Sequence, residues 1–170
     1  TTGASPGGAT PNTTAGSTAP SPSSTPSTSN SSSCFPAHAQ VTIFGGTTKR
    51  IDELVLGDRV LVGGGQFSEV FMFTHRSADV AADFVVIDAA VSGARLRVTP
   101  GHYLYVNGAL TAAFAVVPGD VIELGDGTVD TVEAVSSAVL QGLYNPQTLQ
   151  GDIVVDGVRE ITAVDQPLGV

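Results

Sequence analysis

The chain has 170 residues, and its composition changes abruptly after residue 33. Residues 1–33 use only Thr, Ser, Pro, Gly, Ala and Asn, so all 23 charged residues (7 basic, 16 acidic), all 10 aromatics and the one cysteine lie in the remaining 137. A net charge of −9 with seven scattered Lys and Arg argues against a nucleic-acid groove or a polybasic membrane patch, and no apolar run approaches the length of a membrane span.

Nothing in residues 1–33 offsets the entropy of ordering a backbone, so a disordered Ser/Thr/Pro-rich linker is expected there. Residues 34–170 are apolar enough to bury one core and are expected to form one domain. The chain opens at Thr1 with no basic or apolar signal region, which suggests the C-terminal piece of something longer. The linker has the composition of an O-glycosylated stalk and holds two sequons, Asn12-Thr13-Thr14 and Asn30-Ser31-Ser32, pointing to a secretory or extracellular location. One cysteine cannot close an intramolecular disulfide, and three dispersed histidines lack zinc-ligand spacing. No metal and no cofactor are expected.

In chain order, short apolar runs alternate with turn signals. Val41–Phe44 ends at Gly45-Gly46, and Val60–Val62 ends at Gly63-Gly64-Gly65. Val70–Phe73, Phe84–Ile87 and Leu96–Val98 follow, then Tyr103–Val106 before Asn107-Gly108, a strong hairpin signal. Val121–Leu124, Val129–Val135 and Ile153–Val155 complete the series. Helical spacing is brief, near Ile51–Leu54 and Ala112–Val116. The pattern predicts an all-β fold.

Leu56–Gly63 aligns with Pro118–Gly125 at an offset of 62, which also sets Phe67 on Val129, Val70 on Val132 and Val41–Ile43 on Tyr103–Tyr105. Two similar β units related by a pseudo-two-fold axis are therefore expected. Short β patterns with Gly-Asp turns also resemble one another by chance. The recurring Asp58 and Asp120 read as turn formers rather than catalytic acids.

Such an arrangement could bring Cys34 to Thr99 and His102. Cys34 is the first residue after the linker, where its thiol can attack the preceding Ser33 carbonyl through a five-membered ring and convert amide to thioester. An attached substrate can supply roughly 7–11 kcal/mol through effective concentration. An imidazole is then needed to protonate the departing nitrogen, a contribution of about 10²–10⁴-fold, and a hydroxyl such as Thr99 could orient the amide. Other readings stand beside this one. Cys34 could be a small buried hydrophobe, Thr99-Pro100 a strand-end turn and His102 a satisfied core residue. His38 reads as an exposed loop histidine before a tuner of the thiolate.

Cys34-Phe35-Pro36, Ile51–Leu61, Phe73–Arg76, Leu96–Val106, Val117–Val121, Gly142–Thr148, Gly151–Val158 and Ile161–Ala163, in that order and spacing, resemble the Hint module of hedgehog-type autoprocessing proteins. The resemblance spans about residues 34–164. It implies a compact, pseudo-two-fold Hint (hedgehog/intein) fold and self-cleavage through an N-to-S acyl shift, with Cys34 as nucleophile and Thr99 and His102 as its TxxH pair. Ser33 stands where hedgehog proteins have Gly. His75 stands where they usually have Asp, and could serve as base for the incoming nucleophile. The chain stops at Leu168-Gly169-Val170 without the sterol-recognition segment, which argues against sterol transfer, and it has no His-Asn pair for intein-type splicing.

The reading is thus of a single-turnover domain that cleaves a covalently attached upstream segment in cis at Ser33-Cys34. Water or a small nucleophile resolves the thioester. The alternatives are a catalytically silent β-rich extracellular interaction module on a mucin-like stalk and, less favoured, a trans-acting cysteine protease.

Overall fold

The computed structural model describes residues 1–5, 7–8 and 33–162. Most of the expected linker, both sequons and the tail from Ala163 lie outside the described residues.

Eleven strands form among them: β1 (Gln40–Thr42), β2 (Thr48–Arg50), β3 (Arg59–Val62), β4 (Gln66–Ala89), β5 (Arg95–Val98), β6 (Tyr103–Val106), β7 (Ala109–Ala112), β8 (Val121–Glu123), β9 (Val129–Thr148), β10 (Asp152–Val155) and β11 (Val158–Ile161). They join in the order β2-β1-β10-β11-β6-β8-β9-β4-β3, with β5 against β4 and β7 against β6. The described residues contain no α-helix. The two stretches of brief helical spacing are single 3-10 turns at Ile51–Glu53 and Ala113–Ala115. At Asn107-Gly108 both residues have positive φ (51° and 78°), the type I′ geometry that closes β6 onto β7.

The duplication is real at the level of hydrogen bonds. Gly57 N–H donates to Val70 C=O and Gly119 N–H to Val132 C=O (2.9 and 2.8 Å). Val70 N–H reaches Asp58 C=O, as Val132 N–H reaches Asp120 C=O (2.9 and 2.8 Å). The 3-10 turns also sit 62 apart. The Asp58 and Asp120 carboxylates accept the N–H groups of Val55 and Val117, each at 2.9 Å. They are turn formers.

Each unit contributes one long strand, and β4 and β9 pair antiparallel from Val70↔Thr148 to Ala89↔Val132 with several register shifts. The runs Val70–Phe73 and Phe84–Ile87, expected as separate strands, are the two ends of β4. The stretch between them is exposed or half-buried throughout, so it has no core face to impose apolar alternation. Backbone ladder bonds carry the ribbon, helped by Gln141 Nε2 donating to Ala78 C=O at 2.8 Å.

Where strands do face the core, alternation holds. Val60 and Val62 on β3 and Leu104 and Val106 on β6 point inward. The core joins both units through Ile51, Ile87, Leu96, Leu104, Ile122 and Ile153, none of them exposed. Each such side chain contributes roughly 1.5–3 kcal/mol of burial. Phe35 and Tyr144 belong to the same core, which therefore reaches directly beneath Cys34.

Candidate active site

The chain enters the fold along β9. Phe35 and Tyr144 exchange both backbone bonds, Phe35 N–H to Tyr144 C=O at 2.8 Å and Tyr144 N–H to Phe35 C=O at 3.0 Å. In an antiparallel ladder the next residue back, Cys34, must turn its N–H and C=O away from β9. On that side stands Thr99, just past β5. Cys34 N–H donates to Thr99 Oγ1 and Thr99 N–H donates to Cys34 C=O, both at 2.9 Å. One threonine thus grips both polar groups of the cysteine backbone. Cys34 has no exposed surface, and Thr99 and Ser33 are almost fully buried.

The same register sets Cys34 across from Asn145 and, one step further, Ser33 across from Pro146. Proline has no N–H to give. Pro146 therefore cannot tie the Ser33 carbonyl into the ladder, and that carbonyl carries the bond at issue. Asn145 is buried, and neither end of its amide has a hydrogen-bond partner among the described residues.

Thr99-Pro100-Gly101-His102 is a tight turn closed by His102 N–H donating to Thr99 C=O at 3.0 Å, with Pro at the position where its fixed φ helps. The turn carries His102 into the core. Its ring lies 4.5 Å from that of Phe35, tilted by 57°, and Nε2 is 3.4 Å from Glu160 Oε2. Both side chains are completely buried. Burial drives the imidazole pKa down to about 3; the Ile161 backbone opposes this, although no well-formed hydrogen bond reaches either ring nitrogen among the described residues. Burial, with the charge of Asp156 adding to it, pushes the Glu160 carboxyl well above the usual range. Burial thus pushes both groups toward their uncharged forms, the imidazole down and the carboxyl up.

The structure therefore sets Cys34 against Thr99, with His102 at the far end of the same turn and its ring against that of Phe35. It does not bring His75 into that buried group. His75 is exposed on β4, opposite Asn145, with β9 between it and Cys34. Two strand spacings, about 10 Å, separate the two backbones. His38 is half-buried rather than exposed.

Glu160 and Asn145 were not singled out in the sequence. For Glu160 a signal existed. In a strand of period two it shares a face with Val158, and β11 buries both. A glutamate on the apolar face of a strand is the anomaly.

The site is thus a duplicated β fold whose entry cysteine is clamped to a Thr-x-x-His turn. Comparison with known proteins defines the class further. The sequence matches the family model of the Hint module over residues 20–161. It is 31% identical over 144 residues to the tiggy-winkle hedgehog protein of Danio rerio, covering 75% of this chain and 35% of that protein. It is 35% identical over 146 residues to sonic hedgehog protein of Xenopus laevis, covering 75% and 32%. The chain thus spans about a third of the length of these curated relatives.

Solved structures agree on the fold. The gp41-1 intein superposes with a TM-score of 0.67 at 14% identity, over 76% of this chain and 98% of that one. A bacterial intein-like domain from Clostridium thermocellum gives 0.62 at 18%, over 75% and 97%. The chain belongs to the Hint family of self-processing modules.

Proposed function

We propose that this domain cleaves itself from an upstream segment by an N-to-S acyl shift at Ser33-Cys34. The observation that carries the reading is the Thr99 grip on the Cys34 amide. With N–H and C=O both held, the Cys34 nitrogen keeps its place while the Ser33 carbonyl carbon turns tetrahedral. Cys34 Sγ attacks that carbon and the C–N bond breaks. His102 delivers a proton to the leaving nitrogen, which becomes the new amine of Cys34. The Asn145 amide, across from Cys34, is the donor at hand for the oxyanion, a kind of contact worth about 10²–10³ in rate.

The thioester is then open to water or another small nucleophile. His75 is solvent-facing and on the row beyond Asn145, and acts on the incoming nucleophile rather than on the amide. The site's demands are modest. A half-life of about an hour needs a barrier of only about 22 kcal/mol. Residues 1–33 serve as the tether to the cargo and leave with it, residues 34–170 stay as the processing domain, and the secretory route is supported by the two sequons and the hedgehog relatives.

The test is the full chain behind an upstream reporter. The parent yields two fragments, dithiothreitol and hydroxylamine speed their release, and Cys34→Ala stays intact. Efficient cleavage by Cys34→Ala ends the proposal. An intact parent that ignores both nucleophiles supports a silent module instead.

A further inference from the structure

The acyl shift poses a proton problem that the site itself answers. His102 lies in a fully buried pocket where an imidazolium is unfavourable at neutral pH, so it cannot simply arrive charged and hand over its proton. A neutral imidazole can donate from one nitrogen if something refills the other. Glu160 stands 3.4 Å from Nε2. Its strand neighbours are Leu104 on β6 and Ile153 on β10, both fully buried. Neither can stabilise a carboxylate, and neither Glu160 oxygen has a well-formed hydrogen bond among the described residues. A side chain placed there for stability would be apolar.

We propose that Glu160 is the positioning acid behind His102: it holds the imidazole with Nδ1 protonated and resupplies the proton that His102 gives to the Cys34 nitrogen. The proposal rests on the acyl-shift reading. In the step, the Cys34 sulfur bonds to the Ser33 carbonyl carbon, and the thiol proton goes to solvent. As the C–N bond breaks, the Nδ1 proton passes to the nitrogen and the Glu160 proton passes to Nε2. One proton leaves sulfur and one reaches nitrogen. Glu160 ends as a carboxylate beside a neutral imidazole of the opposite tautomer, and recovers its proton from solvent when the site opens with the departing segment. Nδ1 is itself buried, and the Ile161 backbone is the other polar group that bears on the imidazole.

The charged groups around Glu160 are few. From the turn before β6 there is His102. Beyond β10 there is Asp156, which accepts the Gln40 N–H and pairs with Arg97, with His38 on the same side. Arg159, next in sequence, is on the other face and engaged by Glu123 and Asp152.

The experiment measures dithiothreitol-driven cleavage of the reporter-fused full chain from pH 6 to pH 8. Parent, Glu160→Gln, Glu160→Asp and Cys34→Ala are compared, with thermal unfolding of each in the Cys34→Ala background. Glu160→Gln keeps the shape but has no proton to lend. It is expected to unfold no earlier than the parent yet cleave roughly 10²-fold more slowly, with a rate that rises toward acid pH. Glu160→Asp recovers part of the rate. Parent-like cleavage and pH profile in Glu160→Gln overturn the proposal. If the variant does not fold, ¹⁵N resonances of His102 in the Cys34→Ala chain decide. A protonated Nδ1 beside a bare Nε2 supports the relay, and a protonated Nε2 overturns it. Cleavage by Cys34→Ala would instead refute the acyl shift itself, and so is told apart.

Discussion

Replacing Thr99 by Val tests the amide clamp at a single atom. Valine has the shape of threonine with a methyl in place of the hydroxyl, so the fold loses the acceptor of the Cys34 N–H bond, 2.9 Å long and buried. The Thr99 N–H to Cys34 C=O bond is backbone and survives. Leaving a buried N–H unsatisfied costs about 1–3 kcal/mol. If the hydroxyl mattered equally before and during reaction, that whole cost would appear as lost stability and the rate would stand. The mechanism requires more of it. The clamp must hold the nitrogen hardest while the amide loses its planarity, so a comparable amount is added to the barrier. That slows cleavage roughly 5- to 150-fold. The assay is dithiothreitol-driven cleavage of the reporter fusion, paired with thermal unfolding in the Cys34→Ala background. Thr99→Ser keeps the hydroxyl and should cleave close to the parent rate. A Thr99→Val chain that unfolds earlier but cleaves within twofold of the parent would refute the reasoning, since Oγ1 would then be structural alone.

Stability should depend on pH with two opposing slopes. His102 has a folded value near 3 against 6.5 for the free group, so below about pH 6.5 the unfolded chain binds a proton the fold refuses. Stability then falls toward pH 3 by up to about 1.4 kcal/mol per unit. Glu160 is raised, so its contribution is complete below its unfolded value of 4.5 and is lost as pH rises above it. Urea unfolding of Cys34→Ala chains should show the acid-side slope reduced by His102→Gln and the neutral-side loss reduced by Glu160→Gln; unchanged slopes would contradict the burial of the pair. Gly125→Ala is expected to destabilise by roughly 1–3 kcal/mol, because a Cβ there would stand 2.5 Å from Val154 Cγ1; an unchanged unfolding midpoint would contradict that packing. His75→Ala should leave dithiothreitol-driven cleavage near the parent rate but slow unassisted hydrolysis, as timed in the absence of thiol. Equal loss in both would place His75 at the amide.

Much of the architecture was legible because local and global signals coincide. The Gly-Asp turns at 57–58 and 119–120 announced the duplication, since each needs the same carboxylate and backbone bonds to close. The Asn107-Gly108 hairpin followed from the positive φ its turn requires. The approach of Thr99 to Cys34 followed from symmetry, because equivalent segments of two packed units approach one axis. What stayed hidden lacked a local signature. The middle of β4 is solvent-facing on both sides and shows no apolar period. β11 was obscured by Arg159 and Glu160, charged residues that suggest a loop until their partners are seen. Asn145 drew no notice because its place is set by register. Only the Phe35–Tyr144 pairing puts it across from the cysteine.

The central claim concerns one peptide bond, and the chemical state of the released fragment reports on it directly. The reporter-fused chain is cleaved in hydroxylamine and the upstream fragment is weighed by intact-mass spectrometry. The account predicts a fragment ending at Ser33 as its hydroxamate, a downstream fragment beginning at Cys34, and an unbroken Cys34→Ala chain under the same conditions. A fragment ending at any other residue, or one released equally well without the Cys34 thiol, would contradict it.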